Sequence, residues 1–199
     1  MNISLLKKIT VIIPSYNRRK YLIRTIKYWS HYNVKLIILD GSDKRLDDPC
    51  LHSINIKYIH NKKGYYDRLL SSINYIETEF TILSCDDEFY LPSALLSCVE
   101  FLSQNTSFSS CGGRAIGFKT HENKVFFTNQ YSKSENFNLK HNNPEERIID
   151  HFSNYFPAHT YSVMRSNEWN KICKYVFEKE YNFFASMGLQ IEYLVMISG

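Results

Sequence analysis

Three acidic side chains stand side by side at Asp86-Asp87-Glu88. Adjacent carboxylates repel one another, and holding them together at a half-buried position is costly unless a cation shares their charge. Their oxygens are hard donors that suit Mg2+ or Mn2+, ions that also ligate diphosphate oxygens. Such an ion would neutralise a departing diphosphate. A solvated acidic loop would carry the same residues, but the apolar run Phe80-Thr81-Ile82-Leu83 directly before them favours the metal. Two other polar groups stand in comparable places. Asp40-Gly41-Ser42-Asp43 offers a carboxylate to a base or ribose and a glycine that lets a ligand approach the backbone, or it is a plain Asx turn. Pro14-Ser15-Tyr16-Asn17-Arg18 is a turn with a helix cap, or the wall of a nucleotide pocket whose helix N-terminus favours phosphate.

Each group follows a short apolar run, so the elements that position them are strands. Ile9 to Ile13 reads as a buried strand stopped by Pro14, Val34 to Leu39 as a second, Ile54 to Ile59 as a third and Phe80 to Ser84 as a fourth. Between them Leu22, Ile26 and Trp29 mark one helix, and Leu69, Ile73 and Ile76 another. Pro92 opens a helix carrying Leu95, Val99 and Leu102. Continuous apolar strands alternating with amphipathic helices define an α/β domain with a mostly parallel sheet covered on both faces. Ligands bind such sheets beyond the carboxyl ends of the strands, so the three polar groups should meet at one edge.

The second half is less regular. Cys111 to Phe118 and Lys124 to Thr128 read as two strands, and Ser132 to Asn143 as a polar, mobile loop. Asn143-Pro144-Glu145-Glu146 is a helix start, with Ile148, Ile149 and Phe152 as its buried face. His159 to Arg165 reads as a strand, and His159 within it as a structural histidine rather than a base. Trp169, Ile172, Cys173 and Val176 mark a helix, and Phe184 to Ile197 a last one. The chain stops inside that apolar pattern at Met196-Ile197-Ser198-Gly199, so a C-terminal continuation is expected.

Composition narrows the field. With 44% apolar and 22% charged residues, the 199-residue chain is an ordinary globular domain with a sizeable core. A net charge of +4 with only short basic clusters, Arg18-Arg19-Lys20 and Lys62-Lys63, argues against a nucleic-acid partner but admits weak attraction to phosphate or anionic lipid. The five cysteines form no C-x-x-C pair, which points to reduced thiols in a cytoplasm rather than to a disulfide framework or a zinc site. There is no signal-peptide pattern and no apolar run long enough to span a membrane. G-x-x-x-x-G-K, G-x-G-x-x-G, G-x-S-x-G, H-x-H and H-E-x-x-H are all missing from the sequence.

Taken together, the motifs resemble glycosyltransferases of family 2 with the GT-A fold, an αβα sandwich on a Rossmann-like nucleotide-binding sheet. Val11 to Arg18 looks like their opening motif, Leu36 to Asp43 like their second nucleotide-binding strand and turn, and Ser84-Cys85-Asp86-Asp87-Glu88-Phe89 like their DxD region. A subgroup from capsule and surface-polysaccharide loci, with a DDDF motif, looks closer still. Its next strand carries a GRxxxF segment that Gly113-Arg114-Ala115-Ile116-Gly117-Phe118 matches, and Thr160 to Arg165 is also similar.

The resemblance implies one domain over residues 1–199, with a nucleotide-sugar half at 1–118 and an acceptor half at 119–199. It implies that Pro14, Ser15, Tyr16 and Arg18 line the nucleotide pocket and that Asp40 meets base or ribose. Arg68 would face the same pocket. Asp86 would contact ribose or the metal, and Asp87 and Glu88 would hold Mg2+ or Mn2+; glutamate at position 88 replaces the usual third aspartate. The implied partners are a nucleoside diphosphate sugar and a glycan or lipid-linked acceptor, met in the cytoplasm or at the inner face of the membrane with peripheral association. Inversion at the anomeric carbon needs a carboxylate base. Glu192 is the first candidate, an exposed helical acid being its alternative, and Asp150 is the second. A nucleotide-sugar-binding module without turnover is the rival to an enzyme. A nucleotidyltransferase would need a basic, glycine-rich first loop that this chain lacks.

Overall fold

A computed structural model describes residues 3–131, 137–157 and 159–199. Four parallel strands form the centre of the sheet: β1 (Ile9–Ser15), β2 (Lys35–Asp40), β3 (Ile56–His60) and β4 (Phe80–Leu83). The helices between and after them are α1 (Arg19–Trp29), α2 (Tyr65–Ser71) and α3 (Pro92–Gln104). A short β5 (Ser110–Cys111) follows, and β8 (Val163–Arg165) inserts antiparallel between β4 and β5, giving the order β3-β2-β1-β4-β8-β5.

Side-chain alternation sorts the core into two layers. Ile9, Val11 and Ile13 of β1 and Leu36 and Ile38 of β2 pack against Leu22, Ile26 and Trp29 of α1 and Leu95, Val99 and Leu102 of α3. Ile12, Ile37 and Leu39 face the other way, onto Leu69 of α2 and onto α5 (Ser166–Phe177) and α6 (Phe184–Ser198). The result is the expected αβα sandwich.

Several boundaries differ from the sequence expectation for identifiable reasons. Pro14 does not stop β1. Pairing with β2 runs on to Ser15, whereas pairing with β4 ends at Ile12. Lacking an N–H, Pro14 has nothing to donate, and β1 and β4 part beyond it. The helix marked by Leu69, Ile73 and Ile76 breaks after Ser71 into a 3-10 turn (Ser72–Tyr75). The hydroxyls of Ser71 and Ser72 donate back to the carbonyls of Arg68 and Leu69, each at 2.6 Å, and tighten the chain there. The strand expected at 159–165 is a 3-10 turn (His159–Tyr161) leading into β8.

The run 111–118 divides at its glycines. Cys111 ends β5, and the chain then forms a separate ribbon of β6 (Ile116–His121) and β7 (Lys124–Asn129). Glu122 and Asn123 turn this ribbon with φ of 47° and 61°, the two-residue geometry that suits the right-handed twist of paired strands. Of the loop expected at 132–143, residues 132–136 lie outside the described residues.

Asn143 caps α4 (Pro144–Ser153) as expected, its side chain accepting from the Glu145 N–H at 2.8 Å. The expected buried face holds only in part: Ile148 packs against the second core layer and Phe152 is half-buried, but Ile149 is 64% exposed, and Arg147 and His151 are the buried residues. Arg147 turns the helix by donating to the carbonyls of Met196 and Ile197 near the end of α6, at 2.8 and 3.2 Å, and to those of His141 and Asn142.

Trp169 on α5 is fully buried in the second layer. Trp169→Ala should cost about 3–5 kcal/mol in urea denaturation. Tyr175→Ala on the same helix, at a side chain 65% exposed, should stay within about 0.5 kcal/mol of the parent.

Candidate active site

The parallel register sends the ends of β1, β2 and β4 to the same edge of the sheet, and the three polar groups meet there. Ser15 Oγ donates to Asp86 Oδ2 at 2.7 Å, and Thr25 Oγ1 on α1 donates to the Asp86 carbonyl at 2.6 Å. The Arg18 guanidinium bridges two of the acids, Nη1 lying 2.9 Å from Asp86 Oδ1 and Nη2 2.5 Å from Asp87 Oδ2. It also lies over the Tyr21 ring, 4.4 Å from its centroid. Asp86 is 3% exposed, whereas Asp87 and Glu88 are exposed. Burial raises the Asp86 carboxyl above the ordinary aspartate range, against the opposing pull of Ser15 and Arg18. The Arg18 guanidinium is held more firmly protonated by its hydrogen bond to Asp87.

The turns after β1 and β2 are locked together. Asn17 sits in the left-handed region at φ 55°, a conformation asparagine tolerates better than most residues. From there its N–H donates to Ser42 Oγ at 2.8 Å, its Nδ2 donates to Asp43 Oδ2 at 2.9 Å, and its Oδ1 accepts from the Asp43 N–H at 3.1 Å. Asp40 is 1% exposed, and its two oxygens accept from the Ser42 N–H at 2.9 Å and the Tyr58 hydroxyl at 2.6 Å. It braces the turn, and its remaining lone pairs are shielded by burial. Tyr16 is 56% exposed at the same edge.

Arg68 reaches this edge from below. It is 5% exposed, and Nη1 donates to the carbonyls of Ser15 at 2.7 Å and Leu39 at 2.8 Å, tying the ends of β1 and β2 together. Burial lowers its pKa, with Asp40 opposing the shift. The guanidinium lies against Gly41, where a β-carbon would fall 2.4 Å from Arg68 Cζ. Arg68 is thus brought to the site, though as an internal brace rather than an exposed pocket wall.

A divalent cation suits this place on chemical grounds. The donors are oxygens only, Asp86 is fixed, and Asp86 and Asp87 already converge on one positive charge, that of Arg18. Glu88 is turned away, accepting from the Cys85 N–H at 3.3 Å. The three carboxylates are therefore not gathered around one point. Among the described residues, the trio of His, Cys, Asp or Glu whose ligand atoms do converge, all within 4.8 Å of one another, is His151, His159 and Glu192.

The two carboxylates expected on the acceptor side differ sharply. Glu192 on α6 is fully buried, its Oε1 accepting from the Thr160 N–H at 2.6 Å and the Thr160 hydroxyl at 2.8 Å. It is not the exposed helical acid that was its alternative, and in this arrangement it presents no surface to an acceptor. The Asp150 side chain is 52% exposed and pairs with His141 Nε2 at 2.7 Å. The 3-10 turn before β8 stands at the functional edge because β8 runs antiparallel to β4. Tyr90 Oη reaches the carbonyls of both Leu83 at 2.9 Å and Tyr161 at 3.2 Å. By contrast, a cleft of about 230 Å3 at Thr10, Lys35 and Ile56 opens at the amino ends of the strands, away from these groups.

Sequence reasoning missed Asn17, Thr25 and Tyr58. Asn17 lay inside a quoted motif, and its local signal was an asparagine between a strand and a helix. Thr25 and Tyr58 carried no signal, since each acts on a residue distant in sequence.

This is an α/β nucleotide-type sheet with acids and a cation at its carboxyl edge, and the comparisons identify the family. The family model for glycosyl transferase family 2 matches residues 10–168, and the chain belongs to that family. Its mostly parallel α/β sheet accords with that family. No curated protein sequence matches it. Among solved structures it is similar to the mannosyltransferase PcManGT from Pyrobaculum calidifontis, in complex with GDP-Man and Mn2+. That likeness has 15% identity and a TM-score of 0.42, and covers 52% of this chain but only 34% of the other. At that level it does not extend to donor or metal.

Gly41→Ala should push Arg68 off the Ser15 and Leu39 carbonyls. The loss expected in chemical denaturation is about 1.5–3 kcal/mol, the usual worth of a hydrogen bond to a charged group. Gly113→Ala, where a β-carbon meets nothing within 4 Å, serves as the control and should leave stability nearly unchanged.

Proposed function

We propose that the chain transfers a sugar from a nucleoside diphosphate carrier to a hydroxyl acceptor, with a divalent cation and with inversion at the anomeric carbon. The observation that carries this reading is the convergence of Ser15, Arg18, Asp86 and Asp87 at the carboxyl edge of a parallel sheet. Asp86 and Asp87 would hold Mg2+ or Mn2+, and Glu88 would join them by leaving the Cys85 N–H. When bound, the ion supplies positive charge to the departing diphosphate. Arg18, released from Asp87, reaches a phosphate by charge-assisted hydrogen bonds. Tyr16 and the Ser42-Asp43 turn flank the nucleotide, with Asp40 behind them.

In a direct displacement the acceptor oxygen attacks the anomeric carbon as its bond to the diphosphate breaks, and the hydroxyl proton passes to a carboxylate. Of the two candidates, solvent reaches Asp150 and does not reach Glu192. Asp150 is the base in this reading. The resemblance of Gly113 to Phe118 to the DDDF subgroup supports a glycan or lipid-linked acceptor of surface polysaccharide synthesis. Among the described residues no helix is long and apolar enough to cross a membrane.

Calorimetry with UDP-, GDP-, CDP- and dTDP-linked sugars, with and without Mn2+, tests the donor site. One of them should bind in a metal-dependent way, and Asp87→Ala should lose both the affinity and its response to metal. Unchanged binding by Asp87→Ala would reduce the acidic group to a solvated loop.

Asp150→Asn should keep donor affinity and slow transfer by roughly 10²–10⁴-fold, the usual worth of a positioned base. Transfer at the parent rate would move the base elsewhere. Donor binding without transfer by the parent protein, even with acceptor supplied, would favour a binding module.

A further inference from the structure

We propose that His151, His159 and Glu192 form a second metal site, for a single divalent ion of the zinc class, separate from the acids at the donor edge. The three residues come from three elements, the last turn of α4, the 3-10 turn before β8, and the middle of α6. Their ligand atoms lie within 4.8 Å of one another. His151 and Glu192 are both fully buried. His151 Nε2 and Glu192 Oε2 are 3.1 Å apart, close to the edge of a zinc tetrahedron, about 3.3 Å for bonds of about 2.0–2.1 Å.

The orientation of these atoms carries the argument further than their proximity. His151 Nε2 and Glu192 Oε2 approach to ion-pair distance, yet neither makes a hydrogen bond, and His151 Nδ1 makes none either. His159 Nε2 is also buried and unpartnered. Buried polar atoms are almost always paired, and unpaired ones on all three members of one cluster are what a missing ligand leaves. Meanwhile Glu192 Oε1 is anchored by the N–H and hydroxyl of Thr160 at 2.6 and 2.8 Å. A carboxylate fixed through one oxygen, with the other left beside the His151 imidazole, has the outer support that metal ligands need.

The surroundings fit the same reading. The rings of Phe152, Tyr155 and Phe156 lie 4.9, 5.5 and 6.2 Å from His151 and keep bulk water away. The His159 ring lines a cleft of about 240 Å3 with Phe137, Arg147 and Met196, which gives an ion and one water a way in. Two imidazole nitrogens and one carboxylate oxygen suit zinc and its tetrahedral substitutes, with water in the fourth position. The all-oxygen group at Asp86 to Glu88 suits Mg2+ or Mn2+ instead. The ion would clamp α4 and the 3-10 turn to α6.

The experiment uses the whole chain stripped of metal by chelator, titrated with Zn2+ alone by calorimetry and with Co2+ followed by visible absorption. The parent should take up one equivalent of each, Co2+ showing the intense bands of tetrahedral coordination, and Asp87→Ala should behave the same. His159→Gln and Glu192→Gln, checked for folding by circular dichroism, should each lose more than the roughly 10–100-fold in affinity that outer-shell partners are worth. His159 is the less buried position and keeps the test open if Glu192→Gln fails to fold. The proposal is overturned if the parent binds no Zn2+, or if His159→Gln binds it as the parent does. It is equally overturned if the bound ion is lost in Asp87→Ala. No nucleotide or acceptor enters the assay, so its failure leaves the donor-site reading standing.

Discussion

The donor edge depends on one buried cation. Arg68 sits beneath the turns after β1 and β2 and donates to a carbonyl near the end of each, at Ser15 and Leu39. Parallel strands that end together expose carbonyls with no further strand to pair them, and such groups need internal donors when buried. Arg68 supplies two with one nitrogen, and its flat guanidinium fits only because position 41 lacks a β-carbon. With the two strand ends fixed, Ser15 is aimed at Asp86, and Asn17 meets Ser42 and Asp43. Asp86 is thereby fixed in place, while Arg18 and Glu88 keep partners that a ligand would exchange.

The two halves of the chain were unequally legible. In residues 9–104 strand and helix follow hydrophobic periodicity, because the central strands β1, β2 and β4 are buried on both faces and the helices on one. The polar groups after the strands were legible for the same reason: a sheet of this kind brings its carboxyl ends together. What the motifs could not show is which polar side chains are spent on the fold. Asp40 and Arg68 looked like pocket residues, and both turn out to be consumed internally, by Ser42 and Tyr58 in one case and by two carbonyls in the other.

In the second half the buried polar residues defeat periodicity. Ile149 reads as core and is exposed, whereas Arg147 and His151, which the pattern leaves out of the core face, are buried. The reason is that Arg147 finds four carbonyls to bind, which outweighs covering an isoleucine. His151, His159 and Glu192 were each visible as residues. Their meeting was not, because their spacing matches no local ligand motif and only the packing of α4 on α6 brings them together.

The antiparallel β8 has a consequence for how such a chain diversifies. Cys111 pairs with Val163, and a β-carbon on Gly112 would lie 3.5 Å from that of Ser162, so the chain leaves the sheet at 112 and re-enters at 162 beside its point of departure. Everything between, including the ribbon of β6 and β7, α4 and the 3-10 turn, is an excursion with a closed mouth. Such a segment is exchangeable in evolution much as a cassette is. Its length and chemistry can change with whatever lies on the far side of the reaction, provided its contacts with α6 are kept, while the register of the parallel strands stays unaltered.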